Sequence, residues 1–418
     1  MRLINPDRHP DSAGPKTAFY ISIILFLSLF ALSESHAKIY IDIASPGIRK
    51  LPISIETTGP EPAKEVEKIV KEDLEATGLV TFYDPDVPGS EIRAKMEVDT
   101  SAGMTVTLTV ADLIENRVVV KNRFSASRKT NIRPIAHSVS NSIYKVITGE
   151  KGPFRTKLSY LVNTSKGKKE LHVMDWDGHN SVRLVARGLT AAHNWTQDGR
   201  FVLYSSERKR KWNIYMRSIT RLGESTLFSS KGLNLVGGTS SGDLVSFSSS
   251  KDGSSEIYTI NVYGKGIKKL TSSFGIDVSP VFSPDGKKIA FVSDRGGTPQ
   301  IYIMGVRGGV KRRITFVGSY NTSPAWSPDG KWIAYTGRTN GKNQIFVVKF
   351  DGSEARQLTD RGNNESPTFS PDGLFIAFDS DRNKQRGVYV MRANGEGQKR
   401  ITPRKMKAMT PRWSPYLK

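Results

Sequence analysis

The chain has 418 residues, 37% of them hydrophobic and 24% charged, a balance that supports a packed core and excludes wholesale disorder. Its 62 Lys and Arg against 40 Asp and Glu give a net charge of +22, which points to an acidic partner: nucleic acid, anionic lipid or an acidic protein. Cysteine is absent, which excludes disulfide scaffolds, thiolate metal sites and cysteine nucleophiles.

The first element is an apolar run from Ala18 to Leu32. It is short of the roughly 20 residues of a membrane span and fits the apolar region of a secretory signal. Arg2, Arg8 and Lys16 precede it, and Ser35, His36 and Ala37 follow with small residues at the right positions for cleavage after Ala37. An uncleaved anchor is the competing reading. Basic and acidic residues balance over 1–37, so the mature chain keeps the whole +22. Export to a periplasm weakens the nucleic-acid reading of that charge.

Residues 38–153 read as a small α/β domain. Strands are expected at 39–43 and 51–55, and a helix over 63–77, where Val66, Ile69, Val70 and Leu74 share one face and Gly78 ends it. Strands follow at 91–98, 105–113 and 117–125. A second helix covers 132–148, with Ile135, Val139, Ile143, Val146 and Ile147 inward and Gly149 at its stop. The segment 149–155 (GEKGPFR) is the expected boundary.

From 154 onward the sequence repeats. VFSPDGKKIAF, AWSPDGKWIAY and TFSPDGLFIAF are three copies of one phrase, with weaker copies at NWTQDGRFVLY and RWSPYLK. A second phrase is centred on Leu171, Ile214, Ile257, Ile301, Ile345 and Val388, spaced by 43, 43, 44, 44 and 43 residues. A period near 43 holding several short alternating strands is the signature of a β-propeller blade. Each unit parses into four strands, A to D. The SPDG turn joins A to B, because Pro fixes φ and Asp-Gly accepts a tight turn. The first unit lacks strand A and the last strand A phrase has nothing after it. The C-terminal strand is therefore expected to close the ring as strand A of blade one, giving six blades and removing two open edges. The fold class is mainly β, a six-bladed β-propeller preceded by a small α/β domain.

These features together resemble the TolB family, the periplasmic propellers of the Tol-Pal system. The resemblance covers 38–418 and rests on the export signal, the small domain, the TGEKGPFRTKLSYLV junction, the FSPDG and IYxM phrases and the RWSPYLK end. The FSPDG phrase alone also occurs in propellers of prolyl-oligopeptidase-like peptidases. In blade three it has decayed to the segment from Thr239 to Asp243. The resemblance implies a non-catalytic interaction protein whose propeller binds the lipoprotein Pal. It further implies that the mature N-terminus contacts TolA, here Lys38, Ile39, Tyr40, Ile41 and Asp42. It also implies a role in outer-membrane integrity and in invagination at cell division.

Signals of chemistry are weak. Gly238, Ser240 and Gly242 match a nucleophile elbow but fall in the slot of the A–B turn, where a repeat turn is the plainer reading. Asp175, Trp176, Asp177 and Gly178 resemble the opening of a calcium loop without its later ligands. No cofactor or metal is predicted. A propeller hydrolase or lyase would have to use His193, Asp277 and Glu365 from different blades. A glycan- or lipid-binding propeller is the third reading.

The binding surface is assigned to the mouth, where D–A loops converge. The residues chosen there are His193, Asn234, Gly237, Asp277, Val278, Ser279, Tyr320, Asn321, Asn364 and Glu365, which the family resemblance matches to a Pal-binding loop set. The B–C loops lie on the same face and carry +10 of the net charge. Lys166, Lys168, Lys169, Arg208, Lys209, Arg210 and Lys211 form its electrostatic rim, serving either solubility or attraction of an acidic partner.

Overall fold

The computed structural model describes residues 49–126, 132–164, 167–221, 223–239 and 243–417. The export signal over 1–37, the strand expected at 39–43, the segment Lys38–Asp42, Lys166 and residues 240–242 lie outside the described residues.

The N-terminal region is a five-stranded sheet with two helices. β1 (Leu51–Thr58), α1 (Pro62–Thr77), β2 (Val80–Tyr83), β3 (Ile92–Asp99), β4 (Met104–Asp112), β5 (Arg117–Ala126) and α2 (Ile132–Thr148) follow in chain order. The sheet order is β2-β1-β3-β4-β5. β1 lies parallel to β2 and β3, while β3, β4 and β5 form an antiparallel meander. β2 is an element that the sequence reading does not contain. It has four residues, and Leu79 and Val80 bury themselves beneath α1. In α1 the buried positions include Val66, Ile69, Val70 and Leu74, and Gly78 closes the helix at φ 71° with its N–H on the Glu75 carbonyl.

The remainder forms six four-stranded antiparallel sheets. Their innermost A strands are Leu189–Trp195, Asn234–Thr239, Asp277–Phe282, Asn321–Trp326, Asn364–Phe369 and Ala408–Trp413, for blades two to six and blade one. The last of these pairs antiparallel with Lys157–Asn163, with Ala408 opposite Val162 and Trp413 opposite Leu158. Strand B of blades four to six and strand C of blades four and six are buried at nearly every position because each blade is packed on both faces, and Phe291, Tyr335 and Phe378 lie in the cores.

The SPDG turns recur because each is internally wired. Ser283 Oγ donates to Asp285 Oδ1 at 2.6 Å and accepts the Lys288 N–H at 2.9 Å, while Gly286 takes φ 69°. Ser370, Asp372 and Gly373 repeat the arrangement in blade six, with Gly373 at φ 80°.

The N-terminal region rests on the turns of blades six and one. Rings pack in series from α2 to the C-terminal strand: Tyr144–Phe154 at 5.8 Å, Phe154–Trp176 at 5.3 Å, Trp176–Phe375 at 5.4 Å and Phe375–Trp413 at 6.2 Å. Gly152 permits the chain to enter this series, since a Cβ there would lie 2.3 Å from Asn141 Oδ1. Tyr144 donates to Asp372 at 3.2 Å, and Trp413 donates to Thr156 Oγ1 at 2.7 Å.

Beside this stack lies a buried ionic cluster. His137 on α2 contacts Asp73 of α1 at 2.7 Å and Asp177 of the blade-one C–D turn at 3.3 Å, and Arg133 pairs with Asp177 as well. Two cations thus face two carboxylates. A metal ion could use the donor atoms of Asp73, His137 and Asp177, but Arg133 and an imidazolium already balance the charge. Burial alone would lower the His137 pKa; the hydrogen bonds and charges of Asp177 and Asp73 outweigh it and raise it to about 9. Burial would likewise raise Asp177, but His137 and Arg133 hold it well below the usual carboxylate range. Asp175, the other acid of the calcium-like phrase, is taken by Lys157 at 2.5 Å and by Asn180 at 2.7 Å.

The folded pKa of His137 lies above its ordinary value of 6.5, so its contribution is complete below that pH and is lost as pH rises through about 9. Urea denaturation across this range should show the wild type losing up to about 3 kcal/mol more than His137→Gln. Parallel pH profiles for the two proteins would contradict the charged state assigned to His137.

Candidate binding face at the propeller mouth

In blades three to six the A strand begins with a polar residue, Asn234, Asp277, Asn321 or Asn364, that locks it to its neighbours. In blade five the Asn321 amide donates to Gln300 Oε1 at 2.8 Å and to the Val317 carbonyl at 2.8 Å. Gln300 Oε1 also accepts Thr315 Oγ1 at 2.7 Å, and that hydroxyl accepts the Ile301 N–H at 2.9 Å. Blade six repeats the set with Asn364, Gln344, Thr359 and Ile345 at 2.7–2.9 Å. In blade four Asp277 replaces the amide and accepts Arg295 at 2.6 Å, while Glu256 replaces the glutamine and accepts Thr271 at 2.6 Å. Asn234 receives Ser249 at 2.6 Å and donates to the Trp212 carbonyl at 2.8 Å.

A cation completes the unit on the B–C side. Arg208, Lys251, Arg295, Arg338 and Arg382 recur every 43 or 44 residues. Arg208 lies 4.1 Å from the Tyr215 ring centre, Lys251 4.9 Å from Tyr258, Arg295 5.3 Å from Tyr302, Arg338 4.3 Å from Tyr320 and Arg382 4.9 Å from Tyr389. Arg382 also donates to Asn364 Oδ1 at 2.8 Å. These side chains act as props, combining cation–π contact with hydrogen bonds to the loops beside them.

This network already engages Asn234, Asp277, Asn321 and Asn364 of the expected contact set. His193, Asn234, Gly237, Asp277, Asn321 and Asn364 are buried. Asn and Asp at these positions position the loops, because their polar atoms already bind the chain. Gly237 is required by a close approach of two A strands, since a Cβ there would lie 2.0 Å from the Pro280 carbonyl oxygen. Glu365 is half-buried and held by Arg386 at 2.9 Å and Asn343 at 2.8 Å. Val278 and Tyr320 are half-buried and Ser279 is exposed, so these three remain open to a partner. The rim also changes. Arg208 is bound to Glu224 at 2.5 Å, and Lys169 is half-buried, whereas Lys168, Lys209, Arg210 and Lys211 are exposed.

Four residues that the sequence reading missed stand out in the same loops. Phe274 is fully exposed, and Ile276, Phe316 and Val317 are each more than half exposed. Exposed large apolar side chains clustered on adjacent loops mark contact surfaces. Their signal in the sequence is an apolar pair inside D–A loops that are otherwise polar.

The channel beneath the mouth is walled by A strands of all six blades. His193 sits in this wall with 2% of its surface exposed, and neither ring nitrogen makes a well-formed hydrogen bond. Burial and the Arg412 charge push its pKa down to about 3, against a weaker pull from the Ser159 backbone, so it is neutral. His193, Asp277 and Glu365 do not form one cluster: Asp277 and Glu365 are each tied to an arginine. Of the elbow-like phrase only Gly238 and Thr239 are described, at the end of strand Asn234–Thr239, which pairs antiparallel with Leu244–Ser249; a nucleophile elbow needs a strand leading into a helix.

The model of the TolB beta propeller domain matches residues 144–417. The chain belongs to the TolB family. Relatives include a TolB homolog of Chlorobium chlorochromatii, 32% identical over 60% of this chain and 62% of that protein. The Tol-Pal system protein TolB of Bordetella pertussis is 28% identical over 67% of this chain and 69% of that one. The chain spans about three-fifths of the length of the first of these relatives. The crystal structure of TolB from Acinetobacter baumannii superposes over 89% of this chain and 98% of its own, with a TM-score of 0.80 at 24% identity, and shares the fold.

If the buried amides position the loops, Asn364→Ala should cost about 1–3 kcal/mol in chemical denaturation, because it leaves Gln344 Oε1 and the Arg361 carbonyl short of donors. An unchanged midpoint would return Asn364 to the partner-facing set.

Proposed function

We propose that the chain is a non-catalytic periplasmic component of the Tol-Pal system. In this reading the propeller mouth binds Pal, and the segment around Lys38–Asp42 contacts TolA. The complex maintains the outer membrane and draws it inward at division. Membership of the TolB family supports the system. The observation that carries the binding face is the patch of Phe274, Ile276, Phe316, Val317 and Tyr320 on the loops leading into blades four and five, with exposed Lys209, Arg210 and Lys211 at the B–C loop of blade two. The acid–base residues near the mouth are committed to structural arginines, which supports binding over catalysis. Among the described residues no helix is long and apolar enough to cross a membrane.

Apolar anchors at the centre of an interface slow dissociation, whereas rim charges speed encounter. Kinetic binding to purified Pal should separate them. Phe274→Ser with Phe316→Ser should raise the dissociation rate about tenfold or more, at ~1–2 kcal/mol for each anchor. Glu at positions 209–211 should slow association and flatten its salt dependence. Removal of 38–49 should abolish TolA binding and leave Pal binding in place. Unchanged Pal kinetics in both mouth variants, with intact folding, would move the site to another face.

A further inference from the structure

The channel contains one feature that the repeat does not require. Ser279, Ser323, Ser366 and Thr410 occupy equivalent positions, 44, 43 and 44 residues apart, each followed by proline. All four adopt left-handed backbone, with φ of 54°, 53°, 57° and 49°, at a shift in strand register. Such a conformation is unfavourable for residues with a Cβ and persists where surrounding structure holds it. The bulge places all four in the wall of a cavity of about 170 Å³. Backbone N–H groups at two of these bulges are already satisfied, Ser366 by Thr336 Oγ1 at 3.1 Å and Thr410 by Asp379 Oδ1 at 3.0 Å. The Thr410 hydroxyl is buried with no partner.

The residue two places after each of these is Val281, Ala325 and Thr368 in blades four to six, and Arg412 in blade one. A guanidinium thus enters the channel wall where its repeat equivalents are small and neutral. It donates to the Pro411 carbonyl at 2.9 Å. Among the described residues no carboxylate forms an ion pair with it. Asp379 is near enough to feel the charge, but its carboxylate meets the Thr410 N–H at 3.0 Å and Arg386 at 3.1 Å. Arginine does not shed its proton in a protein, and a charge partly withdrawn from water, as that of half-buried Arg412 is, is costly unless paired. His193 adds a buried imidazole, neither of whose nitrogens makes a well-formed hydrogen bond.

Hydroxyls and a neutral imidazole can serve an ion of either sign. The guanidinium decides between them. The geometry points to a binding site for one small monovalent anion, a halide or a carboxylate, held by Arg412, Thr410, Ser366 and His193 inside the channel. A guanidinium with no ion pair of its own among the described residues, set among neutral donors, matches a single negative charge. The inference stands on the channel alone and is independent of the partner assigned to the mouth.

Thermal unfolding at fixed ionic strength in sodium bromide, sodium acetate and sodium gluconate tests it, gluconate being too bulky for the cavity. The wild type should gain a few degrees in bromide or acetate over gluconate, and Arg412→Met should not. Thr410→Val should weaken the gain while keeping the fold, and it serves if Arg412→Met does not fold. A crystal soaked in bromide should show an anomalous peak beside Arg412. An identical salt response in wild type and variants, or a channel without bromide, would overturn the assignment.

Discussion

The structure depends on one strand pairing. Ala408–Trp413 lies against Lys157–Asn163, and this contact converts a row of sheets into a ring. A ring has no free inner edges, so every A strand is driven to the axis and every D–A loop to the mouth. The same strand brings Thr410 and Arg412 into the channel and sets Trp413 on Phe375. Through Phe375, Trp176 and Phe154 the closure reaches Tyr144 of α2. The N-terminal region is thereby packed on the blades where the ring closes, and the Asp73–His137–Asp177 contacts fasten it there.

Repetition determines what the mouth can offer. In blades five and six Asn, Gln and Thr satisfy one another, and blade four does the same with Asp277, Glu256 and Thr271, so these polar groups stiffen the loops. Function must then lie in what departs from the repeat. Phe274 and Phe316 are apolar where neighbouring loops are polar, and Arg412 is charged where its equivalents are neutral. One departure offers an apolar surface outside the ring, and the other a cation inside it.

Much of the architecture was legible because its period is rigid. Blade number, the SPDG turns and both helices follow from spacing and from apolar periodicity. The short strand Val80–Tyr83 was not legible, since four residues show too little alternation and their burial depends on α1. The scaffold role of the mouth's polar residues was hidden for a related reason. Asn234, Asp277, Asn321 and Asn364 are polar residues in loops, which suggests exposure, yet each is paired to a partner about 15–22 residues away. Their own spacing of 43 and 44 residues was the available sign that they belong to the scaffold. Of the His137 cluster only Asp177 stood out, in the calcium-like phrase, because Asp73 and His137 are far from it in the chain and share no motif with it. Arg412 was visible only when the strand A copies are aligned.

Closure is tested most directly by removing the last strand. A protein ending at Lys407 loses strand A of blade one, exposes two sheet edges and strips the aromatic stack of Trp413. Thermal and urea unfolding of the soluble fraction should show a large loss of stability or outright insolubility. Removing Trp413 alone, as Trp413→Ala, should cost about 3–5 kcal/mol. A truncated protein that unfolds at the wild-type midpoint would show that the ring does not depend on its C-terminal strand.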